Sequence, residues 1–192
     1  ASLAILKNLK NKCKINVLYV RPSVSLLNQT QTMLERMTFG VFQEYARSGV
    51  FERLYVVSNE EIEHILGGIS IKNYYNKINE IIVSTLHMIN IYKNNKSISN
   101  TYGDLPLGAR ISTFGMLDED NVFFPLDNVS DVVYYYAYNK QRLETDSNIM
   151  SSIKKNIEVA KSDDIRATYG IYETDYEQDY VYCMYHTSEI QR

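Results

Sequence analysis

The sequence has no tryptophan, three prolines and only two cysteines. No apolar run approaches the roughly 18 residues that a bilayer-spanning helix needs, so no membrane association is predicted. Cys13 and Cys183 lie far apart and lack the spacing of a disulfide framework or a zinc site. They are predicted to be reduced, half-buried core residues of a cytoplasmic protein. The net charge of −3 argues against a strongly basic surface that would bind nucleic acid directly.

The composition is that of a folded protein. Of the 192 residues, 45% are hydrophobic and 22% are charged. A chain of this length buries about 70% of the surface of its unfolded state, which is enough for a core. The length allows one domain or two small ones.

The first half of the chain alternates helical and strand-like segments. A helix is predicted at 1–10, a short apolar strand at 15–20, a helix at 28–47 and a second strand at 53–57. The run at 15–20 is typical of a parallel strand covered on both faces. Together these segments predict a βαβ unit with a right-handed crossover. The predicted buried face of the helix at 28–47 consists of Leu34, Met37, Val41 and Tyr45.

The longest periodic segment follows Gly67-Gly68 and runs from 70 to about 92. At 1.5 Å per residue this helix would be about 33 Å long. Val83, Leu86 and Ile91 widen its apolar stripe well beyond half of the surface. The pattern therefore predicts a central helix between two layers.

The second half of the chain has an irregular start and is then rich in strands. A helix is predicted at 147–159, and the polar turn at 174–179 predicts an antiparallel hairpin between its two neighbouring strands. The second half is therefore predicted to be α+β. The four predicted strands are 110–116, 132–138, 167–173 and 180–186.

Three side chains near the start of the long helix are candidates for contact with a planar ligand. Asn59 follows a predicted parallel strand, where ligands bind in open α/β sheets, and its carboxamide offers one acceptor and two donors. The alternative is a helix N-cap. Tyr75 and Asn79 are four residues apart on one helix face and would clamp a purine. The alternative is a core tyrosine with an incidental asparagine.

Asp104 is a candidate catalytic residue in the irregular stretch after the long helix. An aspartate on a rigidly placed loop orients water for attack on a phosphate. The alternative is an ordinary turn residue beside Gly103. No glycine-rich phosphate loop and no metal-ligand cluster occurs in the sequence, so no metal site is predicted.

The order of these segments resembles the tubulin/FtsZ superfamily. A helix, a strand ending in a basic residue and proline, a helix, a strand ending in Ser-Asn-Glu, a long helix and an aspartate-bearing loop precede an α+β domain. The resemblance begins after the family's glycine-rich phosphate loop and reaches the last strand of its C-terminal domain. Arg110-Ile-Ser-Thr-Phe resembles the strand that follows the catalytic loop in tubulins. The Asn- and Tyr-rich composition resembles plasmid- and phage-encoded members such as TubZ.

The resemblance implies an α/β fold that is part of a Rossmann-like GTPase domain, with parallel strands, a long central helix and an α+β C-terminal domain with a mixed sheet. Residues 1–69 would be the second half of the nucleotide-binding domain and 70–94 the central helix. Residues 95–192 would be the C-terminal activation and polymerisation domain. The start at Ala1, without Met, suggests a trimmed or fragmentary chain.

The resemblance also assigns roles to the candidate residues. Asn59 falls on the asparagine that contacts guanine, Tyr75 on the aromatic residue that stacks on the base, and Asn79 on the residue that reads the guanine edge. Asp104 falls on the second acidic position of the catalytic loop, which enters the nucleotide pocket of the next subunit in a filament.

Three positions depart from the family pattern. Thr101 stands at the first acidic position of the catalytic loop. Asn28 and Thr32 stand where the family usually has Glu and Arg to touch ribose and phosphate, so hydrogen bonding remains but charge does not. The phosphate loop itself is absent from the sequence, so this segment alone is expected to be inactive.

The implied function is a GTP-binding, self-assembling cytoskeletal GTPase of the cytoplasm. It would form a head-to-tail homopolymer, bind GTP or GDP, and use Mg²⁺ together with the absent phosphate-binding part. A DNA-bound adaptor protein for plasmid or phage partition is a candidate partner. One alternative is a tubulin-fold binding or structural module that has lost hydrolysis. Another is an α/β enzyme acting on a small molecule.

Overall fold

The computed structural model describes residues 2–10, 12–68, 70–116 and 121–192. Single-turn 3₁₀ helices at Val24–Leu26 and Ile71–Asn73 precede the second and fourth α-helices. The helices are α1 Ser2–Leu9, α2 Gln29–Arg47, α3 Asn59–Leu66, α4 Tyr74–Asn94, α5 Lys140–Thr145 and α6 Ile149–Ser162. The strands are β1 Asn16–Arg21, β2 Arg53–Ser58, β3 Ser99–Asn100, β4 Ile111–Met116, β5 Asn121–Val122, β6 Asp131–Asn139, β7 Arg166–Thr174 and β8 Tyr180–Thr187.

The eight strands of the described chain form one mixed sheet. Seven of them follow the order β1-β2-β4-β8-β6-β7-β3, and β5 pairs with β4 outside this path. The strands β1, β2 and β4 are parallel, whereas β8 is antiparallel to both β4 and β6. Only two residue pairs join β2 to β4, Leu54 with Ile111 and Tyr55 with Ser112. The predicted α/β class with a mixed second half is confirmed.

Helices cover both faces of the sheet. The alternation along β2 shows the two faces, because Leu54 and Val56 join the cluster under α2 while Val57 joins the cluster under α4. The helix α6 packs on the α2 side, against β6, β7 and β8. The α4 side chains buried against the sheet are Ile78, Ile82, Thr85, Ile89 and Tyr92.

The apolar pattern predicted a layer on each side of the long helix, but within the described chain α4 is buried along one side. Only one stripe of α4 is buried, and Val83 on another face is 63% exposed. Similarly, β1 is an edge strand, with Leu18 and Val20 more than one-third exposed, rather than a strand covered on both faces. Apolar periodicity alone does not show which of two apolar faces is buried.

The predicted hairpin between the last two strands is wrong, since β6 lies between β7 and β8. Residues 131–138 of β6 are all buried, which fits a strand with neighbours on both edges. It pairs in parallel with β7 and antiparallel with β8. The polar segment between β7 and β8 therefore crosses over the end of β6.

The predicted buried face of α2 is also wrong. Two polar residues, Glu35 and Gln43, lie on the buried face, where both are hydrogen-bonded. Glu35 accepts hydrogen bonds from Arg21 at 2.8 and 3.2 Å. Gln43 donates one hydrogen bond to the backbone of Gln191 and accepts one from it. Tyr45 is half-buried. The buried residues are Glu35, Phe39, Gln43 and Ala46. Three residues that were predicted to be buried have exposed fractions between 46% and 58%, namely Leu34, Met37 and Val41.

None of the helices within the described ranges combines the length and the apolarity that crossing a bilayer requires. Neither Cys13 nor Cys183 forms a disulfide. Cys183 is a core residue but is fully rather than half buried, and Cys13 is exposed, so the prediction of a half-buried core residue is wrong for Cys13.

Candidate functional site

Asn59 is the first residue of α3, directly after the carboxyl end of β2. The N-cap of α3 is Ser58, whose hydroxyl accepts from the Glu61 amide, so the alternative of an N-cap role for Asn59 is wrong. The Asn59 Oδ1 atom is buried and has no hydrogen-bond partner in the described chain. An unsatisfied buried acceptor costs about 1–3 kcal/mol. Asn59 therefore presents an acceptor that a donor on a ligand would satisfy.

The face of α3 that carries Asn59 is turned towards the start of α4. Glu63 is four residues further along α3, so it shares that face with Asn59. The Tyr74 hydroxyl donates to Glu63 Oε2 at 3.0 Å and lies 3.5 Å from Ser23 Oγ in the loop after β1. Tyr74 thus links the first turn of α4 to the loops at the carboxyl edge of β1 and β2.

Tyr75 is 69% exposed, so the alternative of a core tyrosine is wrong. Its ring packs edge-on against Tyr74, with centroids 5.3 Å apart and an interplanar angle of 88°. Asn79, one turn further along α4, is also exposed. The structure therefore leaves an aromatic ring and an amide free on one face of α4, beside the residue that contacts α3.

Asn28 and Thr32 lie at the start of α2. Asn28 is the N-cap, and its side chain accepts from the Gln31 amide at 2.9 Å in a reciprocal capping box. The Thr32 hydroxyl donates to the Asn28 carbonyl at 3.0 Å. Asn28 is exposed and Thr32 is half-buried, and within the described ranges no hydrogen bond joins either of them to Asn59, Tyr75 or Asn79.

A cavity of about 450 Å³ lies between the loop after β1 and α3. Serines of the loop and acidic residues of α3 line it, and Gly67 and Gly68 close one side. Gly67 ends α3 in the left-handed conformation, with φ of 66°. The cavity places open space next to the helix that carries Asn59, within the usual range of 300–1,000 Å³ for small-molecule sites. Its lining residues are Ser23, Ser25, Leu26, Glu60, Glu63, His64, Gly67 and Gly68.

The segment that leads to Asp104 is attached to the edge of the sheet. After α4 the chain forms β3, which pairs antiparallel with β7. Thr101 continues this pairing, since its amide donates to the Tyr169 carbonyl at 2.9 Å and its hydroxyl accepts from the Tyr169 amide at 3.1 Å. Thr101 is thus occupied in holding the loop to the sheet.

Tyr102 fixes the loop one residue further along. Its hydroxyl hydrogen-bonds the Tyr172 hydroxyl at 2.8 Å, and burial raises the pKa of Tyr102. The ring lies across Gly170, where an added Cβ would stand only 2.9 Å from Tyr102 Cε2 and closer still to Cζ and the hydroxyl oxygen. A glycine at 170 is therefore required for this contact.

Asp104 is exposed and lies outside the turn at 107–108, so the turn-residue alternative is wrong. Its backbone carbonyl accepts from Arg166 Nη2 at 2.8 Å. Arg166 Nε pairs with Asp131, whose side chain is only 3% exposed. The carboxylate of Asp104 itself forms no ion pair with any described residue. A buried carboxylate thus orients the arginine that holds the backbone of this loop.

The structure does not bring the two groups of candidates together in one chain. Tyr75 lies in the first turn of α4, whereas Asp104 follows the helix end, and 20 residues of helix span about 30 Å. Sequence reasoning missed Tyr74, Tyr102, Arg166 and Gly170. Tyr74 was recoverable because it adjoins Tyr75. Arg166 and Gly170 were not recoverable, since they contact the loop but lie more than 60 residues further along the chain.

Among the residues that the structure describes, no three His, Cys, Asp or Glu side chains converge as a metal site.

The fold is known from solved structures. The chain superposes on a GTPγS-form TubZ protofilament from Bacillus thuringiensis serovar israelensis with a TM-score of 0.68 and 17% identity, covering 96% of this chain and 55% of that one. An empty FtsZ dimer from M. jannaschii gives 0.64 and 10%, covering 95% and 57%. A GDP-bound CetZ1 monomer from Haloferax volcanii gives 0.65 and 16%, covering 97% and 59%.

No protein-family model matches the sequence, and no curated protein matches it. The likeness is therefore one of structure. The predicted resemblance is confirmed at this level: the chain has the tubulin/FtsZ fold. It spans 55–59% of the length of these three proteins.

Proposed function

We propose that this chain, which has the tubulin/FtsZ fold, is the guanine-reading and assembling portion of a filament-forming GTPase. The observation that carries the proposal is the buried, unpartnered Oδ1 of Asn59 at the carboxyl end of β2. Guanine presents an N1–H and an amino group side by side, and either donor would satisfy this oxygen. Binding at the carboxyl ends of parallel strands is also the rule for open α/β sheets.

Tyr75 and Asn79 complete the proposed base site. The exposed Tyr75 ring would stack on the base, an interaction worth about 1–3 kcal/mol for base–aromatic pairs. Asn79 would hydrogen-bond the base edge from one turn further along α4. Asn28 and Thr32 would contact the ribose through neutral groups, because neither carries a charge.

The phosphates and Mg²⁺ would be held by residues outside this chain. No described residue offers the run of backbone amides that cradles phosphates at a glycine-rich loop. In the proposed protein, residues 1–69 complete the nucleotide-binding domain, 70–94 form the central helix and 95–192 form the polymerisation domain.

Self-assembly follows from the separation of the two candidate sites. Asp104 would position the water that attacks the γ-phosphate, but it lies about 30 Å along α4 from the base site. One chain therefore cannot apply both to one nucleotide, and the Asp104 of the next copy must supply the second. Such a head-to-tail contact is heterologous and generates filaments. Structural neighbours of the chain include two- and four-stranded TubZ filament models.

The cellular role that fits this proposal is movement of plasmid or phage DNA by a cytoplasmic polymer. The polymer would act through a DNA-bound adaptor protein, since the net charge of −3 does not favour direct DNA binding.

A tubulin-fold module without hydrolysis is the second candidate. Thr101 favours it, because its hydroxyl is committed to the Tyr169 amide and brings no carboxylate to the loop. The two candidates differ in one measurement on the full-length protein: the module binds GTP without releasing phosphate, whereas the GTPase releases phosphate upon assembly.

The base site is tested on this chain by NMR titration with GMP and AMP. GMP is expected to shift the side-chain amides of Asn59 and Asn79 and the ring of Tyr75, with affinity at least tenfold above that for AMP. Tyr75→Ala and Asn79→Ala should each weaken GMP binding, whereas Asn76→Ala on the same helix should not. Equal shifts with both nucleotides, or shifts away from these residues, would refute the guanine site.

A further inference from the structure

A second cavity lies at the opposite end of the parallel strands. It has a volume of about 460 Å³ and is formed by the beginnings of β1 and β2 and the last turns of α4. Arg53 begins β2 and Asn59 follows its end, so about 20 Å of strand separates the two cavities. This cavity is therefore distinct from the proposed base site.

Arg53 supplies the main charge of this cavity. Its Nη1 atom contacts the Ala109 carbonyl at 2.9 Å, Ser112 Oγ at 3.1 Å and His186 Nδ1 at 2.9 Å. Its Nε and Nη2 atoms have no hydrogen-bond partner in the described chain, and no carboxylate there forms an ion pair with it. Burial lowers the pKa of Arg53. The cavity thus contains a half-buried guanidinium with unused donors.

Lys93 brings a second cation to the same cavity. Its pKa is lowered by desolvation and then by the positive charge of Arg53, so the two cations repel each other. Lys14 is a third cation at the rim. The carboxylate at this rim, Glu52, is shared between Lys14 at 3.5 Å and Arg110 at 3.7 Å. Glu52 also acts on Arg53 and Lys93, since its charge raises the pKa of both, but among the described residues it forms no direct ion pair with either. The lining thus carries three cations, Lys14, Arg53 and Lys93, against this one carboxylate.

The cavity also contains side-chain amides, of which that of Asn94 is already used in a hydrogen bond to the Asn90 carbonyl. Asn16 and Asn90 are exposed, line the cavity and form no side-chain hydrogen bond within the described ranges. A ligand that fits such a lining carries two negative charges and several acceptor oxygens. A phosphate group meets this requirement, and the planar fork of an arginine matches its geometry.

We propose that this cavity binds the phosphate group of a small phosphorylated molecule, with Arg53 and Lys93 as the principal ligands. The volume lies within the range of small-molecule sites and exceeds what a single phosphate ion fills. The inference is independent of the proposed GTPase, since it uses other residues at the other end of the strands.

The test titrates this chain with pyrophosphate at constant ionic strength, followed by NMR and thermal unfolding. Pyrophosphate should shift the Arg53 Nε–H and the Asn90 side-chain amide and should raise the midpoint of unfolding. Lys93→Gln should weaken binding at least tenfold, and Asn90→Asp, which places a carboxylate in the cavity, should abolish it. Lys154→Gln on α6 is the matched control for loss of a charge and should bind like the wild type.

Four results would overturn the proposal. They are shifts that avoid Arg53 and Asn90, unchanged affinity in Asn90→Asp, stabilisation that sodium sulfate reproduces at equal ionic strength, and binding of inorganic phosphate as tight as that of pyrophosphate. Asn90 is exposed, so its substitution does not depend on refolding a core. Inorganic phosphate is the comparison ligand: weaker binding than pyrophosphate supports a phosphorylated molecule, whereas equal binding identifies free phosphate and rejects the larger ligand.

Discussion

At the residue scale, the unpaired Oδ1 atom of Asn59 lowers the free energy of unfolding. Its buried Oδ1 accepts no hydrogen bond from any described residue, although nearly all buried polar atoms in proteins are paired. Four other buried side-chain atoms of the described chain are also unpaired, so what distinguishes Asn59 is its place at the carboxyl end of β2. Serine at 58 already caps α3, so nothing in the local helix requires an asparagine at 59.

Asn59→Ala should therefore separate stability from binding. Removing the unpaired acceptor should leave the free energy of unfolding unchanged or raise it by up to about 1 kcal/mol, and GMP affinity should fall at least tenfold. Chemical denaturation and GMP titration measure the two effects. Asn148→Ala, an exposed asparagine before α6, is the control. A loss of stability with normal GMP binding would show that Asn59 is a structural residue.

His186 makes stability depend on pH. It is buried, and its pKa is lowered well below the usual value by desolvation and then by the charges of Arg53, Lys93 and Arg166. Because Arg53 donates to Nδ1, the folded state holds the neutral ring. The unfolded state binds a proton below about pH 6.5, so stability is complete above this pH and decreases as the pH falls below it. Denaturation from pH 7.5 to 5.0 should show this slope, and His186→Asn should reduce it.

Gly170 leaves the space that the Tyr102 ring occupies. Gly170→Ala should cost about 1–3 kcal/mol by overpacking and should speed amide exchange at residues 99–101. In a Tyr102→Ala background the same change should cost little. Gly40→Ala is the control, because nothing lies within 4 Å of the added methyl group and alanine favours the helix. Equal costs in both backgrounds would show that Tyr102 does not contact Gly170.

At the scale of elements, Arg166 at the start of β7 connects the catalytic-loop candidate to the sheet. It holds the Asp104 carbonyl and the buried Asp131 carboxylate together. Arg166→Ala should cost about 3 kcal/mol, because Asp131 is left buried with Ser130 as its remaining side-chain partner. Amide exchange should rise at 102–105.

The control for Arg166 is Arg142→Ala, which breaks half-exposed ion pairs with Asp146 and Asp179 and should cost less than about 1 kcal/mol. If exchange at 102–105 stayed at the wild-type rate in Arg166→Ala, the arginine would not position the loop.

The elements themselves were predictable, but their partners were not. The segments β1, α2, β2 and α4 each follow from local periodicity and appear within a few residues of the expected bounds. The buried face of α2 did not follow from periodicity. Glu35 and Gln43 can be buried there because Arg21 and Gln191, which come from distant segments, form hydrogen bonds with them. The hairpin prediction, which missed the position of β6 between β7 and β8, failed for the same reason. Strand order depends on contacts that a linear sequence pattern does not contain.

At the scale of the whole molecule, the candidate site is divided between the two ends of α4. Asn59, Tyr75 and Asn79 were accessible to sequence reasoning because the family resemblance places them in short local motifs. The exposure of Tyr75 could not be predicted, since an exposed tyrosine and a core tyrosine have the same periodicity. The central claim of the proposed function is that two copies share one nucleotide, and its test needs a protein that also holds the phosphates.

Mixing two inactive variants of that protein tests the claim most directly. Asn59→Ala lacks the base site but keeps Asp104, and Asp104→Ala keeps the base site, so each alone should lose at least about 100-fold in GTP turnover. In a random equimolar filament, an intact base site meets an intact Asp104 at about one interface in four, so turnover should recover to about one quarter of the wild-type rate. Turnover no higher than the sum of the separate variants would contradict the shared site.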